Sequence, residues 1–222
     1  YPSLLDIPKP VHLAIVLVGI EQVEQVIEEC AQKGVKAAIV FTSGFGETGN
    51  PEGFERERRM VEKARAGGVR LVGPNCMGVY SPEAGLGFFP SMPSTVGRLA
   101  FVSQSGSLGA FVTLMGTLRG MSFSKVVSIG NECDLSSSDF IDYLAEDDQT
   151  KMITGYLEGT RNGRRLLESL QKASRRKPVI IWKSGSTQTG ARAVSSHTGS
   201  LAGSNEVWES AFKQAGVIRA QT

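Results

Sequence analysis

The sequence predicts an α/β protein built on parallel sheets. Short apolar runs of strand length alternate with amphipathic stretches along most of its 222 residues. The alternation breaks once, between Ser81 and Arg98, and then resumes. Segments that follow the apolar runs are rich in Gly, Ser, Thr and Asn, whereas the opposite connections, such as "AQKG" and "SRRKP", are short and charged. Such alternation is what parallel strands joined by crossover helices require.

In the first half, "VHLAIVLVG" (Val11 to Gly19) is a continuous apolar run and predicts a buried strand. "EQVEQVIEECAQKG" follows, and Val23, Val26, Ile27, Cys30 and Ala31 have the i, i+3, i+4 spacing of a helix with one buried face. Gly34 is a good helix stop. "VKAAIVFTSGFGETG" reads as a strand ending in a Gly-rich loop. "PEGFERERRMVEKARAGG" reads as a helix, with Pro51 in its first turn and Gly67–Gly68 at its end. "VRLVGPNCMG" is a third short strand and a loop. His12 sits inside an apolar run and is expected to be a packed core residue; "ERERR" reads as a solvated helix face.

"SPEAGLGFFPSMPSTVGR" (Ser81 to Arg98), with its prolines and glycines, reads as a connection between domains. The strands "RLAFVSQSG", "SKVVSIGNECD", "KMITGYLEG", "PVIIWKSG" and "VIRA" then alternate with the helices "SLGAFVTLMGTLRG", "SSDFIDYLAEDD", "NGRRLLESLQKASRR" and "SNEVWESAFKQAG". Five strands with four crossovers is a flavodoxin-like pattern.

Composition narrows the function. A net charge of +2 is too small to argue for nucleic acid or an anionic membrane, and neither is expected as a partner. "LAIVLVGI" is too short to span a bilayer, and Asp6, Pro8, Lys9 and Pro10 interrupt the start, so no signal peptide is expected. Three cysteines (Cys30, Cys76, Cys133) without metal or CxxC spacing point to a reducing compartment, hence the cytoplasm, and to no metal site.

Ligands of such sheets bind outside the carboxyl ends of the strands, so the Gly- and Ser-rich loops are where chemistry is expected. "SQSGSLG" (Ser103 to Gly109) joins strand to helix. Gly106 permits a sharp turn, Ser105 and Ser107 add hydroxyls, and the first N–H groups of the helix can hold an anion. An ordinary βα turn capped by serine is the plainer alternative. His197, one of two histidines, stands in "SSHTGS". A neutral imidazole is a nucleophile that can carry a phosphoryl group; a hydrogen-bonded loop histidine is the alternative, and a metal ligand lacks companions. Glu158 ends the strand "MITGYLE", where its carboxylate can accept a hydrogen bond from one ring nitrogen of His197 and free the other to attack. A solvated glutamate is the plain alternative. Cys76 reads as a small packing residue rather than a reactive thiol. "WKSG" lacks the spacing of a Walker A loop.

"GPNCMGV", "VSQSGSLG", "SIGNECD", "YLEG" and "SSHTGSLAG", in this order and at these intervals, resemble the NDP-forming acyl-CoA synthetases. The similarity reaches the succinyl-CoA synthetase alpha subunit and is closer to ADP-forming acetate-type ligases. The resemblance implies that His197 is the phosphorylated histidine and Glu158 the glutamate that orients it. It implies that Ser105, Gly106 and Ser107 hold the phosphoryl group. Phe41, Thr42 and Ser43 match a segment that contacts coenzyme A, and Asn75 and Cys76 match positions near its thiol end. Members of the family phosphorylate the histidine from ATP, pass the phosphoryl to a carboxylic acid, and let CoA attack the acyl phosphate, reversibly. In succinyl-CoA synthetase a tyrosine follows the matching turn; Ala110 stands there in this chain, which argues against succinate.

The expectation is therefore an α/β chain with a partial Rossmann-like CoA-binding domain (1–95) and a flavodoxin-like CoA-ligase domain (96–222). About one more β-α-β stretch, with its phosphate loop, is expected ahead of Tyr1. ATP/ADP and Mg2+ are expected on an ATP-grasp domain or subunit outside this chain, and the whole is expected to be an oligomeric acid–thiol ligase. Two alternatives remain open from the sequence. One is a module that senses CoA or acyl-CoA without catalysis, including a form fused to an acyltransferase that regulates lysine acetylation. The other is citrate-lyase-type chemistry, which needs a further lyase domain.

Overall fold

A computed structural model of the protein describes residues 1–185 and 205–220. The first half contains β1 (Leu13–Val16), α1 (Ile20–Lys33), β2 (Ala37–Val40), α2 (Pro51–Ala66) and β3 (Arg70–Val72), and the strands pair in parallel in the order β1-β2-β3. α1 buries Val23, Ile27 and Cys30, the stripe its spacing predicts, and stops at Gly34, whose φ of +77° is left-handed. α2 starts at Asn50, whose side chain accepts from the Gly53 N–H at 2.7 Å, with Pro51 at the first helical position. Its buried face is Gly53, Glu57, Met60 and Ala64.

The second half contains β4 (Gly78–Tyr80), β5 (Leu99–Ser103), α3 (Gly106–Leu118), β6 (Phe123–Ser128), α4 (Ser137–Glu146), β7 (Met152–Leu157), α5 (Gly163–Ser174), β8 (Val179–Lys183), α6 (Asn205–Ala215) and β9 (Ile218–Arg219). Its sheet runs β4-β6-β5-β7-β8-β9. The five strands read from the sequence are parallel and follow the order of a flavodoxin-like sheet. β4 pairs antiparallel with β6, so this sheet is mixed. Three residues, "GVY", are too few to show a strand period; their pairing is decided by contact with β6. Ile129, Ile141, Leu144, Ile153, Leu157, Leu170 and Phe212 form the centre of the core that this sheet shares with its helices.

Two expectations are corrected. His12 is exposed and stands just before β1; it contributes only its carbonyl, which accepts from Lys36 and Ala37 N–H at 3.0 and 3.3 Å. Glu57, inside "ERERR", is buried at 4% exposure, because helical spacing sets it on the face of Gly53, Met60 and Ala64. The stretch 81–98 is anchored to the second sheet: the Tyr80 hydroxyl donates to the Pro93 carbonyl at 2.8 Å, and Phe88 is buried in a cluster with Tyr80, Phe101 and Phe123. Among the described residues no helix is long and apolar enough to cross a membrane.

The two sheets meet through the backbone. Residues 131–135 run beside the end of β3, with Asn131 N–H donating to Pro74 O (3.0 Å), Cys133 N–H to Gly73 O (3.1 Å) and Leu135 N–H to Leu71 O (3.1 Å). Gly130, at φ +57°, lies so close to the carbonyls of Pro74 and Asn75 that a Cβ would collide with them. The Met77 N–H donates to Ser128 Oγ at 2.9 Å. Asp134 secures the outer end of this seam: its side chain is 3% exposed, pairs with Arg70 (2.8 Å) and Arg65 (3.2 Å), and accepts from the Leu71 N–H at 3.0 Å. Burial pushes its carboxyl up, but Arg70, the Leu71 N–H and Arg65 outweigh burial and hold it below the ordinary range.

Asp134→Ala removes those partners and leaves the Leu71 N–H without its acceptor. Because both arginines stay half-exposed, the loss should be about 1–3 kcal/mol in equilibrium urea unfolding. A change below about 0.5 kcal/mol would show that Asp134 is incidental to the seam.

Candidate active site

The carboxyl ends of both sheets open onto one cavity of about 580 Å³. Five loops line it: Phe41, Gly46 and Glu47 after β2; Asn75, Cys76 and Met77 after β3; Gln104 to Ser107 after β5; Gly130 to Glu132 after β6; Glu158 to Arg161 after β7. In the second sheet β5 is flanked by β6 and β7, which makes the β5/β7 boundary the point where the strand order reverses. Crevices form there because the chain leaves neighbouring strands in opposite directions.

α3 points its N-terminus into this cavity. Ser105 caps the helix, its Oγ accepting from the Leu108 N–H at 3.4 Å and lying 3.4 Å from Ser107 Oγ. Ser103 Oγ donates to the Ser105 carbonyl at 2.7 Å and fixes the turn. A Cβ on Gly106 would stand 3.0 Å from the Met77 side chain, so only glycine lets the helix start approach the loop after β3 without a shift. First-turn N–H groups without partners in the helix, aligned with its dipole, favour an anion.

Glu158 is 5% exposed, and its Oε2 is buried without a hydrogen-bond partner among the described residues. A buried carboxylate oxygen left in that state calls for a donor. On the next strand Lys183 is buried beneath Trp208, with its Nζ 5.1 Å from the ring centroid. Burial pushes its ammonium down, and the Glu158 charge opposes that shift.

The remaining walls are polar and closely bonded. Asn131 Nδ2 donates to Glu57 Oε2 at 2.9 Å and to Glu47 Oε2 at 2.5 Å, and Arg161 pairs with Glu57 at 2.6 Å. Glu132 Oε1 accepts from Gln104 Nε2 at 2.6 Å, and its Oε2 accepts from Ser137 Oγ at 3.4 Å. Burial is the main effect on Glu132 and pushes its carboxyl up to about 7, against the hydrogen bonds of Gln104 and Ser137. Asn75 and Glu132, each at φ +55°, are the non-glycine residues with positive φ among the described residues, and both line the cavity. Such strain gathers where function constrains the backbone.

Of the residues expected to act, Ser105, Gly106, Ser107, Glu158, Phe41, Asn75 and Cys76 line this one cavity. The Cys76 thiol is turned inward, 3.4 Å from the Val40 carbonyl and 3.7 Å from that of Val72, and burial pushes it up to about 12; it packs rather than reacts. Thr42 and Ser43 are not on the cavity wall. Thr42 Oγ1 donates to the Val18 carbonyl at 2.7 Å and ties the loops after β1 and β2 together, and Ser43 is exposed. Ala110 is buried among Tyr80, Phe101 and Phe123 and does not face the cavity. His197 lies outside the described residues. Sequence reasoning passed over Gln104, Glu132, Asn131, Arg161 and Glu57. The helical spacing of Glu57 was the one signal available; the others are placed by contacts between segments far apart in the chain.

Glu132 makes a stability prediction. A carboxyl whose folded value is raised stabilises the fold below its ordinary titration range, and that contribution is lost as pH rises through about 7. Glu132→Gln cannot ionise. Its Tm should exceed that of the unsubstituted chain by roughly 2–4 °C near pH 8, and the gap should close near pH 5. A constant gap across this range would mean that Glu132 does not change its charge there.

Comparison with known proteins identifies the family. A family profile described as a succinyl-CoA ligase like flavodoxin domain matches residues 96–222, and one described as a CoA binding domain matches residues 1–82. The chain is 47% identical over 223 residues to acetate–CoA ligase [ADP-forming] I of Archaeoglobus fulgidus, covering all of this chain and 32% of that protein. It is 44% identical over 222 residues to the alpha subunit of acetate–CoA ligase [ADP-forming] II of Pyrococcus furiosus, covering all of this chain and 48% of that subunit. The structure of a dinucleotide forming acetyl-coenzyme A synthetase 1 from Ca. Korarchaeum cryptofilum, in complex with phosphate and ADP, superposes with a TM-score of 0.93 at 41% identity, over all of this chain and 48% of that one. The chain thus spans a third to a half of the length of these relatives. It belongs to the ADP-forming acyl-CoA synthetase family.

Proposed function

We propose that this chain is the CoA-ligase portion of an ADP-forming acyl-CoA synthetase, which makes acyl-CoA from a small carboxylic acid, CoA and ATP through a phosphohistidine at His197 and an acyl phosphate. The observation that carries this reading is the pairing, on one cavity, of a buried carboxylate with an unfilled oxygen (Glu158) and an open helix N-terminus (Ser105–Ser107). An imidazole between them has a use for both.

Each residue then has a task. Glu158 accepts a hydrogen bond from one ring nitrogen of His197, fixes the tautomer, and leaves the lone pair of the other free to attack phosphorus. The α3 N-terminus, with Ser105 and Ser107, stabilises the phosphoryl group on the ring through N–H and O–H donors. A carboxylate is a poor acyl donor. Transfer of the phosphoryl from His197 to the acid oxygen creates a good leaving group, the CoA sulfur then bonds to the acyl carbon, and phosphate departs. In the reverse direction the same donors receive phosphate. We assign CoA to the wall formed by Phe41 and Asn75, and Cys76 to packing beneath it; Thr42 and Ser43 belong to the same segment. The relatives' names favour acetate or a similarly small acid.

We further read residues 1–95 as the CoA-binding domain and 96–222 as the ligase domain. ATP/ADP and Mg2+ are assigned to an ATP-grasp subunit or domain, consistent with the fraction of the relatives that this chain spans. No group of three or more His, Cys, Asp or Glu among the described residues is arranged to hold a metal ion. A cytoplasmic, oligomeric enzyme is the corresponding reading. The retention of both His197 and Glu158 favours it over a sensing module without catalysis.

The full ligase, incubated with γ-labelled ATP, should acquire acid-labile, base-stable label on this chain. His197→Asn should abolish it, and Glu158→Gln should slow it by at least about 100-fold. Equal labelling of His197→Asn and the unsubstituted enzyme would overturn the reading.

A further inference from the structure

β5 and β7 run in register to Ser103 and Tyr156, and the last rung of their ladder is the Gln104 N–H donating to the Tyr156 carbonyl at 3.2 Å. Beyond it β5 turns into α3 at Ser105, so the backbone of Glu158 and Gly159 loses its neighbour on that side. The Gln104 side chain takes the place of the missing strand. Its Oε1 accepts from the N–H groups of Glu158 and Gly159, the latter at 3.1 Å. Its Nε2 donates to the Gly159 carbonyl at 3.0 Å and to Glu132 Oε1 at 2.6 Å. All four positions of the amide are filled, and the partners leave one orientation: only the oxygen can face two N–H groups, and only the nitrogen can face a carbonyl and a carboxylate.

We propose that Gln104 is a positioning residue of this site, an amide that stands in for a strand, is oriented by Glu132, and aims the Glu158 carboxylate at its partner. The inference rests on the reading of Glu158 given above. Two observations beyond the hydrogen bonds support it. Glu132 is held at a left-handed φ, a strain that persists where surrounding contacts determine the conformation. And Glu132 is buried at the nitrogen end of the amide, where its carboxyl has the specific effect of fixing which end of the amide faces residues 158–159. Gln104 touches no reacting atom in this account and acts through Glu158.

The test uses the full ligase and reads the rate at which the base-stable label forms, the KM for CoA, and thermal unfolding. Gln104→Leu and Glu132→Leu should each slow labelling at least about tenfold while the KM for CoA moves by less than about threefold. Glu132→Gln, whose amide oxygen still accepts from Gln104, should recover most of what Glu132→Leu loses. In a Glu158→Gln background, Gln104→Leu should cost almost nothing more, because the residue it positions is already disabled. If Gln104→Leu does not fold, Gln104→Glu replaces it, keeping the acceptor for the two N–H groups and losing the donor to Glu132, with the same expectation. Labelling of the Gln104 variant at the unsubstituted rate, or losses that multiply with Glu158→Gln, would overturn the proposal while leaving the phosphohistidine reading intact. An unsubstituted ligase that takes up no label, or a Glu158→Gln enzyme that labels at full rate, would overturn that reading and this proposal with it.

Discussion

The site depends on a short backbone seam. The hydrogen bonds from Asn131, Cys133 and Leu135 to the carbonyls of Pro74, Gly73 and Leu71 bring the carboxyl ends of two separate parallel sheets face to face. Each sheet alone offers one row of polar loops. Joined at the seam, they enclose a cavity with the α3 N-terminus on one wall and the loops after β2 and β3 on the other. The close approach of Gly130 to the loop after β3 sets how near those walls can come, and Asp134 secures the seam from outside. A polar backbone buried at such a junction must be paired, so the junction admits little slack.

Charge inside the cavity follows a simple pattern. Four glutamates line or underlie it, in a site expected to hold phosphate and a nucleotide-like cofactor. Glu57 is balanced by Arg161 and by Asn131, which also binds Glu47. Burial lifts the Glu132 carboxyl to about 7 and so weakens its charge. Glu158 alone combines burial with an unfilled oxygen. In a low-dielectric setting such a group attracts an N–H donor strongly, and an imidazole that gains positive character as it takes up a phosphoryl group is a donor suited to it. In the proposed function the anionic group falls to the helix N-terminus, where backbone dipoles supply attraction without adding a titratable charge.

Much of this was legible in the sequence, and what was not has a physical reason. The apolar runs and the stripe Val23, Ile27, Cys30 gave the strands and helices, since burial on one face leaves a period in the chain. The carboxyl-edge rule points to Ser105–Ser107 and Glu158 from the sequence alone. β4 was not foreseen, because three residues carry no period and pair only when β6 is already in place. Glu57 was read as solvated because charge outweighed position, although Gly53 and Met60 share its face. His12 was read as buried because the run around it is apolar, yet it stands just before β1 and lends only its carbonyl to the backbone pairing. Gln104 and Glu132 lie 28 residues apart and meet through folding alone; nothing local in "VSQSG" or "GNECD" marks them as partners.

The central claim is that the free oxygen of Glu158 is filled by the ring of His197. A crystal structure of the full ligase, trapped with a non-hydrolysable ATP analogue before phosphoryl transfer, measures that contact directly. The account predicts a ring nitrogen of His197 at about 2.6–3.2 Å from Glu158 Oε2, with its other nitrogen facing the first turn of α3. A ring found on the opposite side of the sheet, or a Glu158 oxygen filled by a different donor in every state of the cycle, would contradict it.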